Sequence, residues 1–240
     1  MNINRKILAT ATLAATFSIE SMAQQPVLEE VIVTAQKREE SLQDTAIAIT
    51  ALSAGMLDDL NVTSPEDYEA IVPSLSVREE PARLAIRGVG RVTNSLGTEP
   101  GIAVYVDQVY NSEIGTLSRA TSLTTERVEV LRGPQGTLYG RNATGGAVNI
   151  TSKRPTEDFE HHLSATVGDY DNLNIGASSS GPITDGLGYR VYAYQQTRDG
   201  YIENQSGDDI WDLENTGYGA QLSWNITDSV NLWVSYAKDE

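Results

Sequence analysis

ERVEVLRGPQGTLYGRNATGGAVNITSKRP, residues 126–155, decides how this chain is read. Two β-prone runs, RVEVLRG (127–133) and AVNITS (147–152), flank a glycine-rich connector, RGPQGTLYGRNATGG (132–146). The connector invites a phosphate-loop reading. It lacks the Gly-Lys-Ser/Thr ending that sets a lysine on phosphate and a hydroxyl on Mg²⁺, and no dinucleotide fingerprint with a strand before and a helix after is present. It therefore reads as tight turns that need φ > 0.

Working upstream, residues 45–151 read as a small α+β domain. Further strand-like runs occur at 45–50 (TAIAIT), 84–88 (LAIRG) and 102–107 (IAVYVD). Ser53 is placed to cap a short helix through Leu60. A second helix is expected from Ser64-Pro65-Glu66-Asp67: a serine N-cap, proline at the first helical position, then acids against the dipole. Pro73 ends it early. The irregular element order is not that of a doubly wound nucleotide fold. The boundary falls at 153–155, because Pro155 cannot continue a central strand.

Downstream the composition changes. Eleven of the 16 aromatic residues lie in 151–240, including all three tryptophans. Phe159, His161, Leu163, Ala165 and Val167 alternate with polar or small residues, as do Leu173, Ile175 and Ala177, and Tyr218, Ala220, Leu222, Trp224 and Ile226. Segments of about 10 residues with one apolar face are the signature of transmembrane barrel strands. Five are expected, at 157–168, 172–181, 188–198, 215–226 and 230–238. The third is the weakest, since Tyr192 and Tyr194 sit on the face opposite Val191. Thr184-Asp185-Gly186 and Thr227-Asp228-Ser229 are tight turns, while 199–214 is a long polar loop. With the first strand running outward, both tight turns fall on the periplasmic side and the long loop outside. A soluble β-sandwich shows the same alternation, and strands alone do not separate the two.

Composition removes other classes. A mean hydropathy of −0.30 excludes a polytopic helical membrane protein, and no stretch past residue 30 reaches the ~18 apolar residues of a membrane helix. Cysteine is absent, so disulfides, zinc–thiolate sites and thiol nucleophiles are unavailable. A net charge of −16 argues against nucleic acid as a partner. His161 and His162 are strand neighbours pointing to opposite faces and cannot share a metal. With only these two histidines no Ser/His/Asp set can be argued. Glu29-Glu30, Glu39-Glu40 and Asp58-Asp59 read as solvated surface. Neither an enzyme nor a cofactor is expected.

The N-terminus, MNINRKILATATLAATFSIESMAQQ (1–25), has the parts of a secretory signal: Arg5 and Lys6, an uncharged apolar run over 7–19, and small residues before a cleavage site after Ala23. Residues 24–44 then hold a β-prone run, Val31-Ile32-Val33-Thr34, followed by a polar tether from Gln36 to Gln43. Such a run can add as a strand to a partner's sheet edge. It serves equally as the domain's own first strand.

The motifs are more specific than their chemistry. EEVIVTA (29–35) resembles a TonB box, the segment that outer-membrane receptors offer to the energy-transducing protein TonB. REESLQDTAIAITAL (38–52), IRGVG (86–90), VYVDQVY (104–110) and residues 126–155 resemble, in order, the plug domain of TonB-dependent outer-membrane receptors. Gln108 departs from the family, which usually has glycine there. The resemblance implies a signal peptide (1–23), a TonB box and tether (24–44), an α+β plug domain (45–153) and the first antiparallel strands of a transmembrane β-barrel (154–240). It also implies uptake of a scarce external ligand, most often a ferric siderophore, with TonB and its inner-membrane energising complex as partner and outer-membrane lipid around the barrel. Glu29, Glu30, Val31, Ile32, Val33, Thr34 and Ala35 would bind TonB. Arg87, Glu129 and Arg132 would face barrel carboxylates or each other, because an unpaired buried charge costs several kcal/mol. Gly88, Gly133, Gly136, Gly140, Gly145 and Gly146 would be structural or gating positions of the plug. No signalling domain is expected ahead of the box. Five strands fall short of the ~8 of the smallest outer-membrane barrels, so the chain is expected to be an N-terminal piece unable to form a closed pore alone. The alternative is a periplasmic module that binds TonB without transporting.

Overall fold

The computed structural model describes residues 32–34, 37–38, 40–43, 45–62, 65–78, 83–90, 99–111, 121–200 and 212–239. Glu29, Glu30, Val31, Ala35, Ser64, the expected leader and most of the 199–214 loop lie outside them.

Side chains alternate along a strand. In β9 (Thr125–Arg132) that sends Val128 and Val130 to one face and Arg127, Glu129 and Leu131 to the other. β9 lies in a five-stranded sheet of order β3-β9-β10-β7-β8, with β3 at Ile49–Ser53, β10 at Gly146–Ser152, β7 at Ile102–Val106 and β8 at Val109–Asn111. β10 and β7 run parallel, and the other pairs are antiparallel. The Val128 face forms the larger core with Leu52, Val104, Val148 and Ile150. It packs with Leu57 of α1 (Ala54–Asp59), Tyr68 of α2 (Asp67–Ile71) and Leu75, Val77, Leu84 and Ile86 of a three-stranded sheet. That sheet has the order β4 (Leu75–Arg78), β5 (Arg83–Ile86), β6 (Val89–Gly90). Each aliphatic side chain so buried contributes about 1.5–3 kcal/mol. The opposite face of the main sheet holds a smaller cluster of Ala103, Leu131, Tyr139, Ala143 and Ala147.

Several expected boundaries move. Ser53 does cap α1, its hydroxyl accepting from the Met56 N–H at 3.3 Å. α2 starts only at Asp67, with Glu66 at the N-cap position giving no side-chain capping bond, and it stops before Pro73. The strand expected at 45–50 begins at Ile49, since Ala48 supplies just a carbonyl, to the Arg132 N–H at 2.9 Å. The run at 84–88 ends early: Arg87 and Gly88 turn the chain into β6 with φ of 53° and 76°. The β7–β8 turn holds Asp107 at φ 47° and Gln108 at φ 69°. Gln108 thus adopts the left-handed backbone that glycine enters freely, at a cost of about 1–2 kcal/mol.

The connector does not use its glycines uniformly. Gly133 and Gly140 have positive φ, 111° and 72°. Gly145 and Gly146 are demanded by close approach: a Cβ on Gly145 would meet the Val89 carbonyl oxygen at 2.8 Å, and one on Gly146 the Leu131 oxygen at 2.2 Å. Gly136 needs neither, for it opens α3 (Gly136–Tyr139) with empty space around it.

The five barrel-type strands are present as one antiparallel sheet in sequential order: β11 (Glu160–Gly168), β12 (Asn172–Thr184), β13 (Leu187–Arg198), β14 (Leu213–Thr227) and β15 (Val230–Asp239). One face is open and apolar, with Leu163, Ile175, Val191, Leu222, Trp224 and Val234 all more than two-fifths exposed. A contiguous apolar face of this kind marks a membrane or protein contact. The other face carries the buried Arg190, Tyr194, Gln196 and Gln221. Tyr192 and Tyr194 belong to that inner face, which removes the difficulty with the third strand. They lie opposite Gly219 and Gly217 in register, and a Cβ on either glycine would come within 2.4 Å of the tyrosine Cζ. Arg190 Nη2 donates to the Leu123 carbonyl at 2.7 Å and so ties β13 to the first half of the chain. Among the described residues no helix is long and apolar enough to cross a membrane, which leaves crossing by strands open.

The two kinds of glycine make a test. Gly146→Ala is expected to destabilise the folded chain by about 1–3 kcal/mol through overpacking against backbone. Gly136→Ala should be neutral or stabilising by up to ~1 kcal/mol. Urea unfolding followed by far-ultraviolet circular dichroism measures both.

Candidate functional site

Strand register sets a polar row across the thin face of the main sheet. Ala51, Glu129, Asn149, Tyr105 and Tyr110 are successive cross-strand partners. Glu129 is fully buried, at 0% exposure, between Ala51 and Asn149 in this row. A carboxylate there must be paired and hydrogen-bonded. Arg127, two residues earlier and hence on the same face, donates from Nε to Oε1 at 2.9 Å. Asn149 Nδ2 donates to Oε2 at 3.0 Å.

The remaining donors come from 95 residues away. The Thr34 N–H reaches Oε1 at 2.7 Å, and the Thr34 hydroxyl lies 3.3 and 3.5 Å from the two oxygens. That hydroxyl also accepts from Arg127 Nη2 and from Asn149 Nδ2, each at 3.3 Å. Thr34 follows β1 (Ile32–Val33), which pairs antiparallel with β2 (Glu40–Ser41). The tether expected to reach outward therefore folds back: Lys37 donates its N–H to the Thr34 carbonyl at 2.8 Å and takes φ 59° in the turn. Val33 is 1% exposed and Ile32 50%. Among the described residues this two-stranded ribbon shares no ladder with the five-stranded sheet.

Beside the ribbon lies a cleft of about 190 Å³ lined by Thr34, Lys37, Tyr105, Gln108, Tyr139 and Asn149. Tyr105 and Tyr139 meet edge-on with ring centroids 5.1 Å apart, and Lys37 Nζ stands 5.9 Å from the Tyr139 centroid. Burial, then the Glu129 charge and then Tyr105, push the Tyr139 phenol well above its ordinary range, so it stays a neutral donor. The arrangement offers no nucleophile–base pair, and no cluster of three metal-ligating side chains occurs among the described residues.

Other expected site residues fall elsewhere. Glu129 and Arg132 are three apart on one strand and so point to opposite faces. Of the two expected arrangements, pairing with each other does not occur between these two, and the cation beside Glu129 is Arg127. The Arg132 Nε is buried with no hydrogen-bond partner among the described residues. Arg87 sits exposed in the β5–β6 turn and makes no ion pair among the described residues. Arg127 was visible in the sequence as the i−2 neighbour of Glu129. Asn149 needed the β9–β10 register, and no local signal points to Thr34.

Replacing Arg127 with Met should cost about 3–5 kcal/mol of stability, because it leaves Glu129 buried without its cation. Arg132→Met should cost under about 1 kcal/mol. Denaturant midpoints of the two variants separate these outcomes.

Comparison with known proteins places this geometry. Residues 41–147 match the family description "TonB-dependent Receptor Plug Domain". The pesticin receptor of Yersinia pestis is 32% identical over 180 residues, covering 72% of this chain and 26% of that protein. The vitamin B12 transporter BtuB of Vibrio vulnificus is 26% identical over 246 residues, covering 91% and 39%. The crystal structure of the ferric yersiniabactin uptake receptor FyuA from Yersinia pestis superposes with a TM-score of 0.70 at 28% identity, covering 80% of this chain and 31% of that one. The chain thus spans about a quarter to two-fifths of the length of these relatives.

Proposed function

Because this chain belongs to the TonB-dependent receptors, with their plug domain and barrel-type strands behind it, we propose that it serves energy-coupled uptake of a scarce external ligand across the outer membrane. Residues 29–35 are the segment that TonB, driven by its inner-membrane complex, takes hold of. Members of the family are transporters rather than enzymes. The observation that carries the reading is the separateness of β1. Among the described residues its ladder is with β2 alone, so a partner can draw the segment off without unzipping the plug sheet. The half-exposed Ile32 beside the buried Val33 supplies the alternation that strand addition reads.

The apolar outer face of β11–β15 supports a place in outer-membrane lipid, with export through a leader cleaved after Ala23. A ferric siderophore is the ligand class we favour, since a ferric yersiniabactin uptake receptor and ferric-pyoverdine receptors stand among the similar proteins. The vitamin B12 transporter is the reason to test cobalamin beside it.

Strand addition depends on backbone donors, so proline is the sharp probe. In a calorimetric titration of residues 24–44 against the C-terminal domain of TonB, Ile32→Pro should lose at least about tenfold in affinity. It deletes one N–H and restricts Val31. Ile32→Ala keeps the backbone and should stay within about threefold. A proline variant that binds like the parent contradicts strand addition at this segment.

A further inference from the structure

We propose that Arg190 and Gln221 form a two-position fastening between the barrel-type sheet and the plug. Arg190 holds the loop at 121–124, and Gln221 is the acceptor that takes its guanidinium when the loop moves off. The exchange involves no residue of 29–35 and stands or falls apart from strand addition there. The chain enters β9 through Thr121-Ser122-Leu123-Thr124, a turn closed by the Thr124 and Thr125 N–H groups on the Thr121 carbonyl at 3.1 and 2.9 Å. Lys153, just past β10, donates its N–H to the Thr124 carbonyl at 3.0 Å. The Leu123 carbonyl takes its donor from the five-stranded wall instead, Arg190 Nη2 at 2.7 Å. The Leu123 side chain is buried, and its Cδ2 lies 3.1 Å from where a Cβ on Gly176 of β12 would stand. One charged hydrogen bond and one apolar knob thus seat the loop on the wall.

Arg190 is 4% exposed, and its guanidinium carries a fork of donors for which the loop supplies one close acceptor. Ser178 Oγ lies at 3.5 Å from Nη2, and Nε has no partner among the described residues. Directly opposite on β14 stands Gln221, 6% exposed, whose Oε1 is likewise buried with no partner among the described residues. Opposed residues on neighbouring strands have Cβ atoms about 4.5–5.5 Å apart, a gap that an arginine side chain spans. A donor and an acceptor are therefore left unused side by side on the inner face of the wall, where buried polar groups are ordinarily paired. They are the other half of an exchange. With the loop docked, Arg190 serves the Leu123 carbonyl. With the loop away, Gln221 Oε1 accepts from it, and the buried cation is not stranded. Stranding is what makes such a bond costly to break, so this edge of the plug can leave the wall and return.

Native-state hydrogen exchange of the full chain in detergent reads the opening of the loop. Its reporters are the Thr125 amide, held by the turn, and the Lys153 amide, held by Thr124. Gln221→Met keeps the length of the side chain and removes the second acceptor. The open state then strands Arg190, so exchange at both amides should slow by about tenfold. Arg190→Met removes the fastening and should speed exchange by about tenfold. In the Arg190→Met background, Gln221→Met should change nothing, because Gln221 acts only through the guanidinium. A Gln221→Met chain that exchanges at or above the parent rate overturns the proposal. So does equal slowing with and without Arg190, since packing alone then accounts for the effect. The amides of the β13–β14 ladder report whether the sheet is intact. Should Gln221→Met lose their protection, Gln221→Glu carries the test. Its carboxylate competes for Arg190 while the loop is docked, so exchange at 125 and 153 should rise at least about threefold, and no rise overturns the proposal.

Discussion

The burial of one carboxylate organises the plug's thin face. Glu129 sits on β9, an inner strand of a five-stranded sheet, fully buried, and an ionised group in that position survives only with several donors aimed at it. β9 supplies Arg127, β10 supplies Asn149 and the N-terminal segment supplies Thr34. Two of the three donors are part of the sheet. The third is attached by a ribbon whose ladder, among the described residues, is its own. The carboxylate thus joins two separate ladders through hydrogen bonds to one buried group.

The same sheet shows why the first half needs two different faces. Val128, Val130, Val148 and Ile150 close the larger core with α1, α2 and the β4–β6 sheet, which supplies stability. The thin face of small residues, tyrosines and the polar row accommodates the ribbon and the adjoining cleft. Close packing at Gly145 and Gly146 keeps β10 near β6 and β9, so the row that holds Glu129 and Asn149 is fixed from behind. In the second half, Tyr192 and Tyr194 laid over Gly219 and Gly217 apply the same device, with large rings accommodated by missing side chains on the next strand.

Much of this was readable from the chain. Period-two alternation located all five barrel-type strands, Ser53 announced its cap, and Pro73 stopped α2 where expected. The rest failed for specific physical reasons. Arg87, Glu129 and Arg132 were expected to face barrel carboxylates or each other, but an odd separation on a strand puts Glu129 and Arg132 on opposite faces, and the cation beside Glu129 is Arg127 at an even separation. The 45–50 run is apolar enough for a strand, yet the ladder to β9 begins only at Ile49. Gly136 resembles its neighbours in the connector and has none of their constraints. Tyr192 and Tyr194 looked misplaced because polarity alone does not show that an inner face accepts aromatics when glycines lie opposite. Thr34 lies 95 residues from its partner, and the contact depends on docking that no local pattern encodes.

The central claim is that Glu129 and Thr34 stabilise one another across the ribbon–sheet boundary. A double-mutant cycle with Thr34→Ala and Glu129→Gln, read by denaturant unfolding of the chain in detergent, measures that directly. Groups in one hydrogen-bonded network couple by about 0.5–3 kcal/mol, and the account predicts a coupling of at least about 1 kcal/mol. Additivity within about 0.3–0.5 kcal/mol would mean that the two sites are independent and would contradict it.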